Sequence, residues 1–514
     1  MSASTPGRSS LGPNQATVTI PTQESTSAIP RAFLGLSTEY ATLPLVEQHT
    51  DLYERVLGLL HVPGDGRFVL RIGGDSADHA IFDSSTDVLP PWAFPVTPAL
   101  VARTVGIIKD LRLRVILDLN TISSTPQATA AWVRASLRAH ILPAGSFAAF
   151  EIGNEPDIYN RKAWEGDLLA ANPPSALRRA ALKPVRLPNR ITASSYARTY
   201  AAFARALASA APDAPLVAPA LAVERTHLSW IETLLHRPHP GLRVITAHVY
   251  PYSACAKPGQ PMYPTVPKLL SDNATVGMAK TIGPSVALAG KAGYSLRLTE
   301  INSVTCGGVK GVSNTFATAL WAPDALFELM RAGVGGVNLH ARVQSINDPF
   351  YFTSQGLQTH PLLYGMLLFT RMLGAHARLV PVQLHTSRTL HLKVWAVKKG
   401  ATTLDTLSVM VINKGRSSAR INLHLPTRSI ASVQRLLAPS ASSTSDVTLA
   451  GQQLDGQAQW QGRTQTETIR PTARGYLLSV RGQSAALLTV HVGAGTLAAP
   501  PMLTAGPGTL FGYE

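Results

Sequence analysis

The chain has 514 residues, too many for one ordinary domain and enough for two or three. Hydrophobic residues make up 45% and charged residues 15%, proportions that belong to a folded globular protein and exclude a disordered one. The formal charge of +16, from 46 Lys+Arg against 30 Asp+Glu, attracts polyanions such as nucleic acid, a membrane surface or an acidic polysaccharide.

Nucleic acid is the least expected of these, because the basic residues are spread thinly and aromatic residues reach only 6%. The most basic stretch runs from Arg161 to Arg190, and sequence alone does not decide whether it meets substrate or solvent. No uninterrupted apolar run approaches the ~18 residues of a membrane span, so none is expected. Residues 1–15, "MSASTPGRSSLGPNQ", lack the apolar centre of a secretion signal and read as a flexible tail.

Beyond the tail, "ATVTIP" (16–21) has strand character, and residues 16–30 are expected to join a C-terminal β-domain. Eight short apolar runs then alternate with helix-period segments between residues 31 and 375. The first four are "FLGLSTEY" (33–40), "FVLRIGG" (68–74), "RVILDLN" (114–120) and "FAAFEIGN" (147–154). "PLVAPAL" (215–221), "RVITAHVYP" (243–251), "SLRLTEIN" (295–302) and "GVGGVNLH" (333–340) complete the set. Segments such as "DLYERVLGLL", "PALVARTVGIIKDL", "YARTYAAFARALASAA" and "TALWAPDALFELMRAG" carry the 3.6-residue period between them. Eightfold alternation predicts an α/β fold, a (β/α)₈ TIM barrel over 31–375. A doubly wound open sheet would usually carry G-x-G-x-x-G after its first strand, and "RIGGDS" lacks that spacing.

From residue 376 to 514 the period changes to two. "HLKVWAVKK", "TLSVMVINK", "ARINLHLP", "GYLLSVRG" and "AALLTVHVG", separated by Ser, Gly and Pro turns, predict an antiparallel β-sandwich.

In such a barrel the active site lies at the C-terminal ends of the strands. Those ends carry Glu39 and Tyr40, Arg71 and Asp75, Asp118 and Asn120, Asn154 and Glu155, His248 and Tyr250, Glu300 and Asn302, and Asn338 and His340. So many polar groups ending apolar strands would be costly to bury without use. Glu155 follows the fourth strand in "FAAFEIGNEPDIYN" (147–160), and Glu300 ends the seventh, roughly across the mouth. Glycoside hydrolysis needs two facing carboxyl groups, one protonated and one ionised.

"GNEP" after the fourth strand and a Glu ending the seventh resemble the clan A glycoside hydrolases. More narrowly, "FEIGNEPD", "AHVYPYSAC" and "LTEINSVTCGGVKGVSNTFATALWAPD" resemble family 79, the β-glucuronidase and heparanase family. That resemblance implies a retaining mechanism with Glu155 as acid/base and Glu300 as nucleophile. It also implies Asn154 at the sugar 2-hydroxyl, Tyr250 against the nucleophile, and Glu39 and Asp75 on the outer hydroxyls. Asp75 reads equally as a helix cap. His248 and His340 read equally as orienting groups or as satisfied core histidines, and no third ligand suggests a metal. Tyr351, in "VQSINDPFYFTSQG" after the eighth strand, is the candidate donor to the substrate carboxylate.

Cys255 and Cys306 fall just beyond the ends of the neighbouring sixth and seventh strands, where a disulfide would suit an exported enzyme, secreted or periplasmic. The expectation is an exo-acting β-glucuronidase, a monomer without cofactor or metal, acting on an anionic carbohydrate that carries glucuronic acid. Internal cleavage of heparan-sulfate-type chains is the alternative.

Overall fold

The structure, a computed structural model, describes residues 11–21, 26–82, 93–139, 145–162, 164, 187–222, 228–342, 344–400 and 404–493. Most of the Arg161–Arg190 stretch, residues 1–10 and residues 494–514 lie outside this set.

Eight parallel strands close a barrel. They are β1 (Leu34–Glu39), β2 (Val69–Gly73), β3 (Arg114–Leu119), β4 (Phe147–Ile152), β5 (Leu216–Leu221), β6 (Leu242–Val249), β7 (Ser295–Ile301) and β8 (Gly336–His340). Seven lie within one of the eight apolar runs, and β6 begins one residue before its run. The strands are buried on both faces, one against the barrel interior and one against the helices, and therefore read as near-continuous apolar runs. Helix starts follow local chemistry. Thr97 caps the helix Pro98–Asp110 by accepting from Leu100 N, and Thr192 with Ser195 forms a capping box at Ala193–Ala210. The 16-residue helix Val276–Lys291 between β6 and β7 is not singled out in the sequence, where Pro284 and several glycines blur its period.

The C-terminal domain is built on two main sheets, with a small two-stranded one at Gln453–Leu454 and Trp460–Gln461. The four-stranded sheet runs Gln383–Thr386, Gln15–Thr19, Ala419–His424, Tyr476–Val480. The expected antiparallel pattern has one exception, because Gln15–Thr19 pairs in parallel with Ala419–His424. The larger sheet includes Leu392–Lys399, Leu404–Asn413, Ser484–Gly493 and Ala431–Leu437, and Ser27–Ala28 lies at one edge of it. Both N-terminal strands thus belong to the sandwich rather than the barrel.

One continuous core joins the two domains. The helices Phe316–Arg331 and Pro361–Thr370 are buried on nearly every side because the barrel covers one face and the large sheet another. Gly365 permits the close approach of these helices, since a Cβ there would lie 2.4 Å from the Ala319 carbonyl oxygen. Asp324, in the first of them, accepts from Trp395 Nε1 at 2.9 Å and Lys414 Nζ at 2.6 Å across the domain junction. Among the described residues no helix is long and apolar enough to cross a membrane.

Candidate active site

Barrel closure brings Glu39, Asp75, Asn154, Glu155, His248, Tyr250, Glu300 and His340 to one mouth around Arg71. This arginine interrupts the apolar run of β2, and its side chain is fully buried. It donates to Glu151 Oε2 (2.6 Å), Asp118 Oδ2 (2.9 Å), Asn154 Oδ1 (2.9 Å), Glu300 Oε2 (3.0 Å) and Ser37 Oγ (3.2 Å). A buried guanidinium is tolerable because its donors are all directed at acceptors, several of them anionic. In return it fixes the Glu300 carboxylate and the Asn154 amide, whose Nδ2 donates to Asp75 Oδ1 at 3.2 Å.

Glu155 leaves the end of β4 with φ +40°, a left-handed backbone uncommon for a residue with a side chain. Its amide donates to Ala220 O at 3.0 Å, which pins the turn to β5. Its Oε1 lies 2.8 Å from Nδ1 of the fully buried His248. Burial is the largest influence on the Glu155 carboxyl and raises it; Glu300 adds to the rise, and His248 only partly opposes it.

Glu300 has the opposite environment. Tyr250 donates to its Oε1 at 2.5 Å, and His340 Nδ1 lies 3.0 Å from the same atom. Burial alone would raise this carboxyl, but the charges of His340, His248 and Arg71 outweigh it and hold it well below the usual carboxylate range. His340 rises in turn to about 10, because Glu300 and Glu39 overcome its burial.

A register shift in β6 between Ala247 and His248 sets His248 beside Glu300 in the neighbouring strand. The nearest ligand atoms of Glu155, His248 and Glu300 lie within 4.8 Å of one another, a spacing a cation could also use. Glu300 is already satisfied there by two positive groups and a hydroxyl, so the trio fits proton sharing better than a divalent ion.

Glu39, at the end of β1, accepts from Ser76 N at 2.8 Å and Ser76 Oγ at 2.5 Å. Its carboxyl is held down at about 2: burial pushes it up, but Arg342, His340 and Ser76 prevail. Gly74 (φ +77°) makes room for it, since a Cβ there would meet Glu39 Oε1 at 2.4 Å. Asp75 stands half exposed at the rim.

Tyr351 is on the hairpin strand Phe350–Thr353, with its ring 5.1 Å from His360. Among the described residues no hydrogen bond joins it to the two glutamates or to Glu39 or Asp75. Arg342, two residues past β8, was passed over in the sequence; its guanidinium lies near Glu39 and Asp75. A cation just beyond a barrel strand in a carboxylate-rich mouth was the available signal. Glu151 could have been found in the same way, as a charge inside an apolar strand.

Cys255 and Cys306 are bonded to each other beside the parallel pair Tyr252–Ser253 and Val304–Thr305, tying the loops after β6 and β7.

Residues 392–487 match the glycosyl hydrolase family 79 C-terminal beta domain. A 4-O-α-L-rhamnosyl-β-D-glucuronidase from Fusarium oxysporum 12S is similar over 92% of this chain and 100% of its own, at 17% identity and TM-score 0.67. An α-L-arabinofuranosidase from Thermotoga maritima covers 93% and 100%, at 16% identity and TM-score 0.61. A glycoside hydrolase family 30 subfamily 8 xylanase from Clostridium acetobutylicum covers 93% and 100%, at 13% and 0.54. At such identities the likeness is one of fold. No curated protein matches the chain in sequence.

The closed barrel, its associated β-sandwich and the family domain define a glycoside hydrolase. Its C-terminal module is the β-domain of family 79.

Proposed function

We propose that the chain is a retaining, exo-acting β-glucuronidase that removes terminal β-linked glucuronic acid from glycans or glycosides by double displacement. The observation that carries the chemistry is the pair Glu155 and Glu300, with facing oxygens within 4.8 Å and environments that push their acidities apart. That spacing suits retaining enzymes, whose carboxyl groups lie ~5–5.5 Å apart, rather than inverting ones at ~6.5–9.5 Å.

In the first step Glu300 forms a bond to the anomeric carbon while the glycosidic C–O bond breaks, and Glu155 gives its proton to the departing oxygen. In the second, Glu155 takes a proton from water, the water oxygen attacks the anomeric carbon, and the Glu300 carboxylate is released. Asn154, held by Arg71, is assigned to the sugar 2-hydroxyl. Two carboxyl groups suffice for this sequence of steps, without a cofactor. The family 79 domain and the likeness in fold to a rhamnosyl-glucuronidase support glucuronic acid as the sugar. The Cys255–Cys306 bond supports an exported location.

The test is hydrolysis of p-nitrophenyl β-D-glucuronide beside the β-D-glucoside, by wild type and Glu300→Gln. Turnover of the glucuronide alone, lost in the variant, is expected; preference for the glucoside would overturn the sugar assignment. The +16 charge favours a second reading, internal cleavage of an anionic polysaccharide. Falling viscosity of heparan sulfate, without release of free glucuronic acid, would establish that reading instead.

A further inference from the structure

A glucuronide brings a carboxylate into a mouth that already holds Glu39, Asp75 and Glu300. Its approach is unfavourable unless donors there can meet it, and a charged donor meets an anion most strongly. Three of the four cations around the described mouth are committed, the fully buried His248 to Glu155 Oε1 at 2.8 Å. Arg71 has no exposed surface and its donors are taken. His340 is 11% exposed and lies between Glu300 Oε1 at 3.0 Å and Glu39 Oε1 at 3.4 Å.

Arg342 is different. Its side chain is 40% exposed, and its ion pairs are long: Nε to Glu39 Oε1 at 3.5 Å and Nη2 to Asp75 Oδ2 at 3.7 Å. Charge-assisted N–H···O bonds are normally ~2.7–2.9 Å, so these contacts orient the guanidinium without consuming its donors. The backbone beneath it is firmly held. Arg342 N donates to Asp348 Oδ1 at 2.8 Å, and Asp348 Oδ2 accepts from Gln344 N and Ser345 N at 2.7 Å each. The result is a fixed stem carrying an under-used planar fork, and a guanidinium fork matches a carboxylate in two parallel hydrogen bonds.

We propose that Arg342 recognises the substrate carboxylate, taking it in place of the long contact to Asp75 and so selecting uronides over neutral sugars. Asp75, half exposed at the rim, can turn toward solvent as the anion arrives. The inference rests on the glucuronidase reading and assigns to Arg342 the place that the sequence reading gave to Tyr351.

The experiment compares kcat/KM for p-nitrophenyl β-D-glucuronide, its methyl ester and the β-D-glucoside in wild type, Arg342→Gln and Arg342→Lys. In the Gln variant the preference for the free acid over the ester and the glucoside should fall about 100-fold, the worth of a paired charged hydrogen bond. Lys should recover part of it, supplying charge without the fork. If the preference stays within threefold of wild type while both rates drop, Arg342 serves only to hold Glu39, and the proposal is overturned. If the Gln variant does not fold, Lys carries the test: a fall of about tenfold is expected, and an unchanged preference overturns the proposal. A wild type with no preference for the glucuronide overturns the functional reading as well, which separates the two failures.

Discussion

Tyr250 donates its hydroxyl proton to Glu300 Oε1 at 2.5 Å, while His340 Nδ1 approaches the same oxygen at 3.0 Å. A hydrogen bond to an ionised acceptor contributes roughly 1.5–3 kcal/mol. Tyr250→Phe should therefore raise the pKa of Glu300 and lower kcat by about 10- to 100-fold. Steady-state kinetics across pH would check both, and an unmoved acidic limb would show that the contact does not tune the nucleophile.

Opposite environments for the two glutamates imply a bell-shaped profile of kcat/KM. Glu300 must be ionised, so activity falls only at low pH, where its depressed carboxyl takes up a proton. Glu155 must be protonated, so activity is lost as pH rises through its raised value. Glu300→Gln removes one of the charges that raise Glu155, and the Glu155 carboxyl should then titrate at lower pH. Carbon-13 NMR of labelled glutamate measures this shift directly; an unchanged titration would mean that the two carboxyl groups are not coupled.

Arg71→Met would leave Glu151 and Asp118, both fully buried, without their shared cation. Breaking a buried pair by removing one partner costs roughly 3–5 kcal/mol. The melting temperature should fall by several degrees and activity should vanish, because Glu300 and Asn154 lose the same anchor. A variant that melts like wild type would contradict this account of the barrel interior.

Asp324→Ala would strand Lys414 at the domain junction, where both side chains are fully buried. The expected loss is again about 3–5 kcal/mol, with earlier proteolysis of the sandwich. Replacing Asp324 and Lys414 together by Leu and Met should cost much less. Thermal melts of the single and double variants decide the matter, and additive losses would argue against a direct pair.

Much of this protein is legible in one dimension because the signals are local. A strand buried on both sides must be apolar along its whole length, and a helix packed on one side repeats every 3.6 residues. Eight such alternations specify a barrel, and a barrel specifies where chemistry belongs. Glu155 and Glu300 could therefore be picked out as strand-end carboxyl groups before any distance was known. Likewise, period-two patterning marked the sandwich, and the strand character of residues 16–21 marked the strand found at Gln15–Thr19.

Only the tertiary structure decided what those groups are. Arg71 joins Ser37, 34 positions away, to Glu300, 229 positions away, and no local pattern encodes such a meeting. The parallel seat of Gln15–Thr19 beside Ala419–His424 depends on the whole sandwich being assembled. The rim position of Arg342, near Glu39 and Asp75 and still open to solvent, depends on where the chain runs after β8. The same holds for acidity. Two identical side chains, Glu155 and Glu300, are driven in opposite directions because a carboxyl group's proton affinity reflects the charges and water around it, which are set by contacts between residues far apart in sequence.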